Sequence, residues 1–218
     1  MADSLMKYFL NLTGKENPKV CLLPTASADR PERIKGWSNY GEQLGFDPYA
    51  QPMFISSYRQ RESFESVLLN MDAIWVSGGN TLNMIAIWKA QGVDKILREA
   101  WEKGIVLGGG SAGSICWFEG GVTDSRPKEL TSMKALGFLP GSHCPHYSSE
   151  GPRQGSYHSM IKDGRLDAGY ALDNNIGLHF EGTEVKKIVA ASSSAKGYFV
   201  SLVNGEVVEK TLDAEILR

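Results

Sequence analysis

A single serine set among glycines, Gly109-Gly110-Ser111-Ala112-Gly113, carries the clearest chemical signal in this sequence. The pattern G-x-S-x-G holds a serine on a sharp strand-to-helix turn, exposed for nucleophilic attack, with glycines where backbone must pass close by. The same pattern also describes a glycine-rich turn that binds phosphate through backbone N–H groups, so the surrounding residues have to decide. A serine is a weak nucleophile until a base removes its proton and a third group orients that base. Four histidines are present: His143, His146, His158 and His179. His146 lies in Cys144-Pro145-His146-Tyr147, within an irregular Gly- and Pro-rich stretch of the kind where sites concentrate, and His143 is its nearest competitor. His158 falls on an expected helix and reads as solvated, and His179 alternates with Leu178 and Phe180 as a strand residue does. The candidate acids are Glu119, Asp124, Glu129 and Glu150, of which Asp124 follows the serine most usefully but also fits a turn cap. A metal at His143, Cys144 and His146 is not expected, because no second ligand pair at a recognised spacing accompanies them. A second glycine turn, Gly78-Gly79-Asn80, follows another apolar run, and backbone N–H groups of Gly79 and Ala112 can converge on one oxyanion.

Positioning such groups takes a layered scaffold. Tyr8–Leu12, Val20–Leu23, Tyr49–Phe54, Ala73–Val76 and Ile105–Leu107 read as short apolar strands, buried on both faces as in a parallel sheet. Between them lie helical patterns. One opens at Asp29 with Pro31 and Glu32, runs through Ile34, Trp37, Tyr40 and Leu44, and ends at Gly45. Phe64, Val67, Leu68 and Met71 mark a second, and Thr81 or Asn80 caps a third that carries Leu82, Ile85 and Trp88. Val93, Ile96, Leu97 and Ala100 mark a fourth. Alternation of this kind predicts a doubly wound α/β fold, its mostly parallel sheet covered by helices on both faces. Residues 119–160 read as irregular apart from a helix over 154–162. The tail then reads as strands at Ile176–Phe180, Val185–Ala190, Tyr198–Val203 and Val207–Lys210, an antiparallel extension with an Asn204-Gly205 hairpin. No repeat or low-complexity linker divides residues 1–218, so one domain is expected.

Bulk properties narrow the partners. A formal net charge of -2 leaves no electrostatic footprint for nucleic acid or an anionic membrane, and no apolar run is long enough for a membrane span. Three cysteines at unrelated spacings, with no secretory signal in Met1–Lys7, predict a reduced, cytoplasmic protein. A monomer or homodimer acting on a small peptide is expected.

Taken together, Ser77-Gly78-Gly79-Asn80-Thr81, Gly109-Gly110-Ser111-Ala112-Gly113, Thr123-Asp124 and Pro145-His146-Tyr147, in this order, resemble the peptidase E family. These are serine peptidases of a class I glutamine-amidotransferase-like fold, a group that includes the cyanophycinases. The resemblance implies Ser111 as nucleophile, His146 as general base, Asp124 as the orienting acid and an oxyanion hole at Gly79 and Ala112. It implies hydrolysis of dipeptides with an N-terminal aspartate, without metal or cofactor. It also implies that Arg153 binds the acidic side chain, with Asn80 and Glu150 as further substrate contacts. Glu119 and Glu150 stand as alternative acids. Around Glu150-Gly151-Pro152-Arg153 the sequence departs from the Gly-Glu-Thr-Arg pattern of the better-known dipeptidases. The alternative readings are a cyanophycinase-like or other amide hydrolase with the same triad, and a non-catalytic small-molecule-binding relative.

Overall fold

Strands with apolar side chains on both faces find partners only inside a parallel sheet that helices cover. A computed structural model of the chain describes residues 2–55 and 62–217. They form two compact units, one of Lys7–Gly113 and one of Ser114–Arg218 together with Met1–Met6.

The first unit contains the end of α1 (Asp3–Asn11), then β1 (Lys19–Leu23), α2 (Pro31–Leu44), β2 (Asp47–Ala50), α3 (Phe64–Leu68), β3 (Ala73–Val76), α4 (Thr81–Gln91), α5 (Val93–Glu102) and β4 (Val106–Gly109). The strands lie in the order β2-β1-β3-β4 and every pairing is parallel. Three expectations change here. Tyr8–Leu12 is not a strand but the end of α1: Asp3, Lys7 and Asn11 are exposed while Met6, Phe9 and Leu10 are buried, which is helical spacing. The strand expected over 49–54 is β2, which starts earlier because Gly45, in the left-handed region, ends α2 and turns the chain at buried Phe46. Asp29 does not cap α2. Its Oδ2 instead accepts hydrogen bonds from the backbone N–H of Met53 and, at 2.7 Å, of Phe54. The helix starts on Pro31 without a side-chain cap.

The second unit contains the end of α6 (Ala112–Ile115), then β5 (Phe118–Thr123), β6 (Thr131–Lys134), β7 (Leu139–Pro145), α7 (Arg153–Lys162), β8 (Gly169–Leu172), β9 (Ile176–Glu181), β10 (Glu184–Ala190), β11 (Gly197–Val203), β12 (Glu206–Thr211) and β13 (Glu215–Ile216). Residues 119–160, expected to be irregular, carry β5, β6 and β7. Their glycines hide the strand signal for a packing reason. A Cβ on Gly121 would stand 2.4 Å from the His143 carbonyl oxygen, and one on Gly120 would stand 2.6 Å from that of Met133. The expected tail strands are antiparallel. They join a six-stranded sheet of order β12-β11-β8-β7-β5-β6, whose centre β8-β7-β5 is itself parallel, and a three-stranded sheet β13-β10-β9. Antiparallel pairs β8–β11, β11–β12 and β9–β10 close the C-terminal part, so the chain is α/β with mostly parallel strands followed by antiparallel ones. Val122, Cys144, Tyr147, Tyr157, Met160, Ala171 and Val200 form this unit's core. Asn204 and Gly205, at φ 52° and 82°, make the expected tight hairpin. Cys21, Cys116 and Cys144 are buried free thiols.

Candidate active site

Ser111 occupies the turn between β4 and α6, with φ 58°. A non-glycine residue adopts this left-handed conformation at a cost of about 1–3 kcal/mol and keeps it only when its surroundings enforce it. Backbone hydrogen bonds from Gly110 to Val76 (3.3 Å) and from Gly113 to Gly110 (3.0 Å) hold the turn against β3. The flanking glycines follow from this close approach. A Cβ on Gly113 would stand 2.2 Å from the Val76 carbonyl oxygen, and one on Gly109 would stand 2.3 Å from that of Gly113. The second glycine turn faces the serine itself, since a Cβ on Gly78 would come 3.1 Å from Ser111 Cβ and 3.6 Å from its Oγ. Asn80 closes that turn: its N–H donates to the Ala26 carbonyl at 2.8 Å, and its Oδ1 caps α4 by accepting from Asn83 N–H at 2.9 Å. Ala112 is buried beside Ser111.

His146, directly after β7, is half-buried and likewise left-handed, with φ 58°. Its Nδ1 lies 2.6 Å from Asn174 Oδ1. Asn174 Nδ2 donates to Ser149 Oγ at 3.2 Å, and Ser149 Oγ donates to the His146 carbonyl at 3.3 Å. This ring of contacts orients the amide with its oxygen toward the imidazole, so Nδ1 carries the proton and Nε2 is the accepting nitrogen. No sequence motif marks Asn174, which lies in the turn Asp173-Asn174-Asn175, with Asn175 at φ 66°.

The candidate acids have partners of their own, and the Glu150 backbone N–H donates to the His146 carbonyl at 3.2 Å. Asp124, exposed directly after β5, accepts from Arg153 Nη2 at 3.2 Å, and Glu150 Oε2 accepts from Arg153 Nε at 2.5 Å. These three residues come together, with the Arg153 side chain only 3% exposed. Glu119 Oε2 is taken by the backbone N–H of Gly141 at 2.7 Å. His143 is buried, stacked on Phe118, with Nδ1 2.9 Å from the Tyr170 carbonyl and Nε2 3.0 Å from Ser114 Oγ. Burial pushes its pKa down to about 4, so it is a neutral, fully engaged histidine. His158 is not simply solvated. Its Nε2 lies 2.7 Å from Glu209 Oε1 and 2.8 Å from the Tyr147 hydroxyl, and Gln154 donates to the same oxygen at 3.0 Å. Burial raises the Glu209 pKa, but hydrogen bonds from Tyr147, Gln154 and His158 outweigh it and hold the carboxyl below its usual range.

The sequence profile of Peptidase family S51 matches residues 2–188. The chain belongs to this family. The S51 chain is 43% identical over 214 residues to the uncharacterized peptidase YgaJ of Bacillus subtilis strain 168, which covers 98% of this chain and 91% of that protein. It is 34% identical over 97 residues to Peptidase E of Shewanella denitrificans, 44% of this chain and 41% of that one. The crystal structure of a peptidase from an acI-B1 actinobacterium shares the fold, with a TM-score of 0.73 at 16% identity, covering 97% of this chain and 89% of that one. The protein is thus a peptidase of family S51. No helix among its described residues is long and apolar enough to cross a membrane. The family match stops before β11 and β12, so Glu209, which no motif marks, lies beyond it.

Proposed function

We propose that this S51 peptidase is a serine-type dipeptidase with Ser111 as nucleophile and His146 as general base. The observation that carries the reading is the Ser111 backbone: a left-handed serine at φ 58° between glycines that backbone contact requires, with Gly78 against its hydroxymethyl. His146 complements it, since a proton fixed on Nδ1 by Asn174 leaves Nε2 to accept another.

The reaction is acyl transfer. His146 Nε2 takes the Ser111 proton as Oγ bonds to the scissile carbonyl carbon, and the displaced electron pair moves to the carbonyl oxygen. Backbone N–H groups of Gly79 and Ala112 stabilise that oxyanion. Collapse breaks the C–N bond, and His146 gives its proton to the leaving amine. Water, deprotonated by His146, then releases the N-terminal residue and restores Ser111. Asn174 orients the imidazole in the place the resemblance gives to Asp124. Labelling with a serine-directed fluorophosphonate tests the assignment: wild type takes the label and Ser111→Ala does not. Labelling of both proteins, or of neither, leaves Ser111 without its role.

A further inference from the structure

A left-handed residue other than glycine relaxes unless its neighbours hold it, so the turn at His146 needs support on both sides. Before the turn, β7 stays in register with β8 up to Pro145, opposite Leu172. After it, the Tyr147 N–H donates to the Leu172 carbonyl at 3.0 Å and the Ser148 N–H to Asp173 Oδ1 at 2.9 Å. Tyr147 is anchored through its side chain as well. It is 1% exposed, and its ring packs against Tyr157 and Tyr198 with centroids 6.2 and 5.5 Å away. Its hydroxyl donates to Glu209 Oε1 on β12. Burial, and then this carboxylate, push the Tyr147 pKa up, so the hydroxyl keeps its proton and remains a donor.

Three donors converge on Glu209 Oε1: the Tyr147 hydroxyl, His158 Nε2 at 2.7 Å and Gln154 Nε2 at 3.0 Å. The carboxyl, held below its usual range, is ionised at neutral pH, and hydrogen bonds to an ionised acceptor are the stronger kind. Gln154 and His158 stand one turn apart on α7, so the oxygen that receives the tyrosine proton is itself fixed to a helix. Resting on the dipeptidase reading above, we infer that Glu209 is a positioning residue for the general base: through the Tyr147 hydroxyl it holds the His146 turn in the conformation that keeps Nδ1 on Asn174. Its action passes through Tyr147, so the two residues work as one unit.

Steady-state kinetics on Asp-Leu and 15N NMR of the imidazole nitrogens test the inference. Glu209→Ala is expected to lower kcat about tenfold with KM within about twofold of wild type. Glu209→Gln keeps an acceptor oxygen at the same place and is expected to recover kcat to within about threefold. Tyr147→Phe, which keeps the ring, is expected to match Glu209→Ala, and the two changes together are expected to cost no more than either alone. In the NMR arm, His146 Nδ1 is expected to be protonated in wild type and in Glu209→Gln. In Glu209→Ala and Tyr147→Phe it is expected to move toward the mixed tautomers of a free imidazole. A kcat that Glu209→Ala leaves unmoved, losses that multiply in the pair, or an unchanged His146 tautomer each overturn the inference. Tyr147→Phe removes a single oxygen atom, so it carries both readouts if Glu209→Ala does not fold. The NMR arm needs no turnover, so it decides the inference by itself if Asp-Leu is not cleaved. Failure of the Ser111 label overturns only the nucleophile.

Discussion

At Asn174 an amide oxygen meets His146 Nδ1, where a carboxylate would add a full negative charge. The amide can still enforce the tautomer and the ring orientation, which is the larger part of what an orienting group supplies. Asn174→Ala is therefore expected to lower kcat about 10- to 100-fold with little change in KM. Asn174→Asp, which keeps an acceptor at the same place, is expected to stay within about threefold of wild type. Equal losses in both variants, measured by steady-state kinetics, would contradict the orienting role. His143 makes the opposite kind of prediction. Its pKa is depressed from 6.5 to about 4 by burial, so the unfolded chain binds a proton that the folded one refuses across that interval. Its contribution to stability is complete above pH 6.5 and falls away between pH 6.5 and 4, by on the order of 3 kcal/mol. In an NMR titration from pH 8 to 5 its ring resonances should stay at their neutral positions; a midpoint near 6.5 would contradict the buried, neutral assignment. None of this was visible in the sequence beyond the histidines themselves. His143 and His146 are three residues apart with similar neighbours, and only the strand and the turn that follows it separate a buried ring from a half-buried one.

The elbow between β4 and α6 was legible because its spacing reports backbone contact rather than side-chain preference. Gly109 and Gly113 meet peptide oxygens that no rotamer change can move. Gly113→Ala is accordingly expected to cost about 3 kcal/mol or more in urea unfolding, since both atoms in the clash belong to the backbone. Unfolding within 1 kcal/mol of wild type would show that the elbow is not set by this contact. The same physics made β5 illegible: Gly120 and Gly121 are there because neighbouring backbone approaches, yet in sequence they read as loop. At Tyr8–Leu12 the run is too short to distinguish a period of two from one of 3.6, so in sequence the end of α1 reads as a strand.

Across the whole molecule, the family match covers residues 2–188, and the strands beyond it are built into the fold. β11 pairs with β8 inside the six-stranded sheet, Val200 is fully buried beside Tyr147, and Glu209 on β12 accepts hydrogen bonds from Tyr147, the neighbour of His146. A chain cut after Ala190 is therefore expected to lose its cooperative urea transition and its peptidase activity together; an unchanged unfolding midpoint would show the tail to be dispensable. The cysteines described with the core lead in another direction. Cys21 lies in the unit of Lys7–Gly113, and Cys116 and Cys144 in the other. Burial raises all three thiols, Cys21 and Cys144 to about 12, so hardly any reactive thiolate exists while the chain is folded. An alkylating pulse thus acts as a stopwatch with two dials, recording in separate peptides the moment at which each unit first lets solvent in.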